Sequence, residues 1–336
     1  MKTMRFILFP LTVLMIGCST PKEEPNIFGD VQKLSEFEKT DFVTTLESDF
    51  DCTKNQIYSP TVLFCWDEIR KVLNTNNISG SDLQKLDESK TFNGVLSDGF
   101  EVGITYDSNE IKAASAFNKT LSFVEPFEIS EFPLNFKLEE VGCFEFRNGN
   151  HQAEIEYYNS DEDFAIVLRP EDTLHEIVLM KTDFTKFKDS KSIYKSLVKK
   201  SIKSNSGKVS KWRTQFERND FTEIPLVKFN LKHSFEEFVG QSFVAEGELY
   251  SVTQVSQRNA FVLNQNGVKV ESESTIGVKD TEMEEDPKTP KRLIFDNDFI
   301  VFLRMKEVSE AANYQGFTYP YFMVYITNGE LLVPFN

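Results

Sequence analysis

A chain of 336 residues with 40% hydrophobic content can bury a sizeable core, and its 32 phenylalanines point to large apolar side chains as the filling. A formal net charge of −16 excludes a protein that tracks a phosphate backbone, so no nucleic-acid partner is expected, and it excludes electrostatic docking on an anionic membrane. The three histidines (His151, His175, His233) are scattered and no Cys-x-x-Cys pair occurs, so neither a metal nor another cofactor is expected.

Lys2 and Arg5 precede an apolar run from Phe6 to Ile16 that is too short for a good spanning helix. The run ends Met15-Ile16-Gly17-Cys18, which resembles the lipobox of bacterial lipoproteins. That resemblance implies that residues 1–17 are a signal peptide and that Cys18 becomes the lipidated first residue of the mature protein. The other reading is an ordinary secretory peptide with an incidental cysteine. Acyl chains on Cys18 would hold the protein at a membrane, with residues 18–35 as its tether. The expected location is then the bacterial cell envelope, at the outer membrane or cell surface rather than the inner membrane. Three cysteines follow: Cys52, Cys65 and Cys143. An odd number in an exported chain leaves a free thiol or an intermolecular bridge. Cys52 and Cys65 could close a short loop, a bridge of the kind that stabilises by about 3 kcal/mol.

Residues 36–336 read as one folded unit. Phe37, Phe42, Val43, Leu46 and Phe50 fall close to helical spacing. A short strand then ends at Ser59-Pro60, a good cap and first helical residue for a helix burying Val62, Leu63, Trp66, Ile69 and Leu73. Glu101 to Tyr106 reads as a strand, and Ile111 to Phe127 alternates before ending Phe-Val-Glu-Pro-Phe. Ala153 to Tyr157 and Phe164 to Leu168 form a hairpin. Ser190 to Ser204 is a Lys-rich amphipathic helix with Ile193, Leu197, Val198 and Ile202 on one side. Thr222 to Phe229 is a strand carrying Pro225, followed by a short amphipathic helix, Gly240 and Phe243. Val255 to Asn264 is a strand that meets a glycine hinge at Gly267, a second alternating segment and an acidic loop. Phe299 to Leu303 and Tyr319 to Asn328 close the chain as apolar strands.

The order of these segments resembles the serpin family. The matching features are the Ser-Pro helix start, the strand before Pro126-Phe127, the hairpin at 153–168, the Pro225 strand and the hinge at Gly267. Phe123 stands where the family has Trp, and Ser115 where it has Asn. The resemblance implies an α+β, serpin-like fold of large mixed and antiparallel sheets with flanking helices. The block between Pro60 and Ala116 is much shorter than in the family, so the central helical region is reduced and the helix that crosses the large sheet is expected to be missing.

The resemblance also makes residues 268–292 an exposed reactive-type loop. In a serpin inhibitor a protease cleaves the loop and the freed end inserts as a new strand in the large sheet. Gly267, Val268, Val270, Ser272 and Ser274 form the small, mildly apolar set of the hinge, against Lys269, Glu271 and Glu273. Inhibitory serpins carry a run of Ala here, and an unpartnered buried charge would oppose insertion by several kcal/mol. Without the crossing helix those charges could face water. By analogy of spacing the scissile bond falls near Thr281-Glu282, with Lys279, Lys288 and Arg292 as alternatives for a trypsin-like protease. No Gly-x-Ser-x-Gly, Walker-type or His-Glu-x-x-His motif occurs, so an enzyme is not expected. The expectation is a monomeric lipoprotein presenting its loop to an extracytoplasmic serine or cysteine protease. The alternative is a non-inhibitory surface protein that uses the scaffold to bind another protein ligand.

Overall fold

The computed structural model describes residues 27–75, 83–89, 91, 100–107, 110–117, 119–147, 151–206, 209–245, 247–268, 289–306 and 318–335. Among the described residues the fold is α+β: three multi-stranded sheets, three separate hairpins and few helices, with α2 (Leu83–Asp87) the shortest α-helix.

The seven-stranded sheet runs, in spatial order, β11 (Ala153–Ser160), β12 (Asp163–Leu168), β13 (His175–Lys181), β21 (Phe299–Met305), β22 (Phe322–Ile326), β3 (Asn55–Tyr58) and β2 (Thr40–Val43). Its pairs are antiparallel except β2–β3. Its central strands are near-continuous apolar runs because both faces are covered. Ile166, Leu179, Val301 and Val324 face the main core, whereas Val167, Val178, Phe302 and Tyr325 face α3 (Ser190–Asn205). Asp189 caps α3 by accepting from Ser192 N at 2.6 Å. Arg304 projects into this second layer, where Glu176 (2.7 Å) and Glu156 (3.1 Å) hold its buried guanidinium.

The five-stranded sheet is ordered β1 (Gln32–Lys33), β15 (Val227–Ser234), β18 (Ser256–Asn264), β19 (Gly267–Val268) and β6 (Leu121–Ser122). Its Phe261 stacks on Phe322 of the seven-stranded sheet at 4.9 Å between ring centroids, which joins the two layers. The four-stranded sheet is β20 (Arg292–Ile294), β14 (Phe221–Pro225), β10 (Cys143–Arg147) and β7 (Glu128–Ile129). The hairpins are β4–β5 (Phe100–Asp107 and Glu110–Phe117), β8–β9 (Leu134–Phe136 and Glu139–Val141) and β16–β17 (Ser242–Ala245 and Glu248–Ser251).

Several sequence expectations change. Phe37 to Phe50 is not helical: Thr40–Val43 pairs in parallel with Asn55–Tyr58 as β2. Buried Asn55 fixes that arrangement, donating to Thr40 Oγ1 (3.2 Å) and accepting from Thr327 N (2.8 Å), partners its local sequence cannot announce. α1 (Thr61–Val72) starts one residue late, with Pro60 rather than Ser59 at its cap. Pro225 ends β14, so the predicted strand is two strands in two sheets, separated at Leu226. The residues after β15 make turns in place of the short helix. On α3, Ile202 is exposed, and Tyr194 and Ser201 take the inner positions beside Ile193 and Leu197.

Candidate functional site

The hairpin β4–β5 and the strand β18 are not hydrogen-bonded to each other. Between them lies a cleft of about 820 Å³, within the range of small-ligand pockets. Lys112 to Ser115 of β5 form one wall and Gln254 to Phe261 the other. The floor is the first turns of α1, through Thr61, Val62, Cys65 and Trp66. Burial pushes the Cys65 thiol up to about 11, so it is no nucleophile at neutral pH.

At one end the cleft is closed by the hinge. Gly267 and Val268 pair with Asn264 and Leu263 of β18 on one side, and with Ser122 and Leu121 of β6 on the other. Gly267 sits at φ +122°, and a Cβ there would strike the Leu121 carbonyl oxygen and lie 2.9 Å from Ser122 Cα. Only glycine fits such a position. The turn is set by Asn266 N donating to Asn264 Oδ1 (2.9 Å), while Phe123 N and Phe127 N donate to the carbonyls of Asn266 and Gln265. Phe123 and Phe127 then stack edge to face at 4.7 Å beneath it. The hinge residues Gly267 and Val268 are therefore buried strand, not the start of an exposed loop.

The sheet around the cleft has unlike faces. On β15 and β18, Phe229, Leu231, Phe261 and Leu263 are buried, whereas Lys228, Lys232, Ser256 and Arg258 are exposed. On β4 and β5, Glu101, Gly103, Thr105, Lys112 and Ala114 are exposed and alternate with half-buried Val102, Ile104, Ala113 and Ser115. α1 packs across β4, β5 and β18 from the buried side. On the opposite face Lys228, Lys232, Ser256 and Arg258 are exposed, whereas Asn230 and Val262 are buried.

The buried wall contains two polar residues that sequence reasoning passed over. Gln257 is 4% and Asn259 6% exposed. Gln257 Nε2 donates to Ser59 O (3.0 Å) and Thr61 Oγ1 (2.7 Å). Its Oε1 has no hydrogen-bond partner among the described residues; nor do Asn259 Nδ2 and, on the facing wall, Ser115 Oγ. The signal was present in the alternation: Gln257 and Asn259 share the phase of Phe261 and Leu263.

The far base of the acidic segment is fastened at Lys291, while Thr289, Pro290 and Arg292 around it are exposed. Lys291 is buried, its ammonium 2.6 Å from Asp220 and above the rings of Trp212 (5.1 Å) and Tyr158 (5.9 Å). Its backbone N–H also donates to Asp220 Oδ1 (2.7 Å), and Arg292 follows in β20 against β14. A lysine that reads as a surface residue is thus part of an anchor whose partner lies 71 positions away.

Val270, Ser272, Ser274, Lys279, Thr281, Glu282 and Lys288 lie outside the described residues, as does Cys18. Cys52 and Cys65 are free thiols, and the bridge considered between them is not formed. Cys52 precedes β3 and Cys65 lies on α1 beyond it, so the extended strand, at about 3.3 Å per residue, carries them apart.

No protein-family model matches the chain, and no curated protein matches it. Among solved structures it is similar to the crystal structure of Serpin48, described as a highly specific serpin in the insect Tenebrio molitor. The identity is 14% and the TM-score 0.38, over 73% of this chain. The chain spans 62% of that serpin's length.

Proposed function

We propose that this chain is a non-enzymatic, serpin-like protein that presents the segment between Val268 and Pro290 to a protease, and that cleavage there lets the hinge side enter the cleft as a strand. The observation that carries this reading is the hinge itself. Gly267 and Val268 are already paired on both sides between β18 and β6, at the mouth of an open cleft whose walls continue in the same direction. An extended chain continuing from Val268 would meet unpaired strand edges, gaining backbone hydrogen bonds by strand addition.

The N-terminal export signal, with Cys18 as a lipidated residue, supports placement at the bacterial cell envelope. Incorporation of labelled fatty acid that is lost in Cys18→Ser is the test of that anchor.

The protease reading is tested by incubating the full chain with trypsin-like, chymotrypsin-like and papain-like proteases. A covalent complex that survives denaturant, with its cut between Val268 and Pro290, is the expected result. Cleavage by every protease without any such complex would overturn trapping. It would favour the other reading, a surface protein that binds a protein ligand through the same scaffold.

A further inference from the structure

Asn230 stands in the outward phase of β15, between exposed Lys228 and Lys232, yet it is 1% exposed. Its cover is the N-terminal segment. Asn230 Nδ2 donates to Gly29 O at 2.7 Å, while Asn230 Oδ1 accepts from Arg258 Nε at 2.7 Å on the neighbouring strand. One end of this buried amide is thus used by the sheet and the other by the segment that crosses it. The residue before Gly29 is Phe28, which is half-buried and lines the cleft together with Arg258, Asn259 and Ala260. We infer that residues 27–33 are a strap across the five-stranded sheet, with Phe28 as its plug. Phe28 is then an intramolecular ligand seated at the mouth of the cleft, which any larger occupant must displace. This inference does not depend on what enters the cleft.

The local sequence sets the path of the strap. Gln32 and Lys33 pair in parallel with Leu231 and Lys232, so β1 covers the free edge of β15. Leu34, next in the chain, is buried in the main core and holds that edge down. A strand that served only to blunt an edge would run on along it. Instead Gly29 turns the backbone at φ +76°, a left-handed conformation open to glycine without steric cost. The turn carries the chain off the edge and onto the face, beside the Lys228 side chain. Phe28 then meets a cleft whose lining includes Val62, Trp66 and Phe261, apolar partners that favour withdrawing an aromatic ring from water.

The strap is separable from the sheets that it crosses. β1 is only two residues long, so its release is a local opening and not an unfolding of the core. Release would uncover the cleft floor, where Cys65 serves as a probe. Cys143 serves as its control, in β10 of the four-stranded sheet. Burial pushes both thiols up to about 11, so at one pH they differ in access and not in ionisation.

The test is the rate at which N-ethylmaleimide modifies Cys65 in the full chain, read by peptide mass against Cys143 in the same sample. Phe28→Ala removes the plug, and Gly29→Val strains the turn that delivers it. Each should raise the Cys65 rate several-fold. Phe28→Leu, which keeps an apolar plug, should stay near the wild-type rate. Cys143 should be modified at an unchanged rate in every variant. Equal Cys65 rates in wild type, Phe28→Ala and Gly29→Val overturn the inference. A rise at Cys65 and Cys143 together also overturns it, because that pattern reports loss of the fold and not release of a strap.

Discussion

The seven-stranded and five-stranded sheets are built from similar sequences but use them differently. In the first, strands such as Phe299–Met305 are buried along their whole length, covered by the core on one face and α3 on the other. Even its charge, Arg304, is enclosed and paired with Glu176 and Glu156. In the second, Lys228, Lys232, Ser256 and Arg258 are exposed on one face, a cleft separates β18 from β5, and buried polar atoms of Gln257, Asn259 and, on β5, Ser115 stand without partners among the described residues. A native core normally pairs its buried polar groups. Gln56 Oε1 and Tyr58 OH of the seven-stranded sheet are also without partners among the described residues, so the contrast lies in the open cleft beside β18.

The largest expected effect lies in the seven-stranded sheet. Arg304→Met removes the cation that Glu176 and Glu156 share in a buried layer, and although Glu176 keeps Arg169 at 3.0 Å, unfolding free energy in urea should fall by about 3 kcal/mol. It should leave the effect of loop cleavage unchanged, because α3 and the cleft lie on different layers. Lys291→Met should cost a similar amount, since Asp220 is equally buried and loses its only ion-pair partner among the described residues. Adding Asp220→Leu should restore much of that loss, as replacing both members of a buried pair is far less damaging than removing one.

Gly267→Val sharpens the comparison most. Its β-carbon meets the Leu121 carbonyl oxygen and its φ of +122° is strained for any branched residue, so a loss of about 1–3 kcal/mol is expected. Unlike Arg304→Met, it should also abolish the stabilisation that follows cleavage, because the entry to the cleft is displaced. The smallest effect is in acid. The hydrogen bond from Arg169 holds the Glu154 carboxyl below its usual range. A lowered carboxylate contributes stability that is present above the ordinary glutamate pKa of about 4.3. That contribution disappears as pH falls through the lowered folded value. Glu154→Gln should therefore narrow the difference in melting temperature between pH 7 and pH 3, modestly, since the pair is half exposed.

What was legible in the sequence was what local pattern determines. Period-two alternation gave the β11–β12 hairpin, apolar spacing gave α1 and α3, and Gly267 after an alternating strand gave the turn from β18 into β19. What was not legible depends on distant partners. Thr40–Val43 is a strand because Asn55–Tyr58 lies beside it, against the helical spacing of its own apolar residues. Lys291 is buried because Asp220, Trp212 and Tyr158 enclose it, and a lysine in an acidic loop carries no mark of that. Gln257 and Asn259 were visible as polar residues in a buried phase. That their Nδ2 and Oε1 atoms stay without partners among the described residues shows only in the folded chain.

The central claim, that the cleft receives the strand freed by cleavage, is tested most directly by amide hydrogen exchange on the intact and loop-cleaved chain. If the claim is right, cleavage slows exchange at the cleft-facing amides of both Ser256–Asn264 and Lys112–Ser115, while Phe299–Met305 stays as it was. Unchanged or faster exchange along both walls after complete cleavage would contradict it.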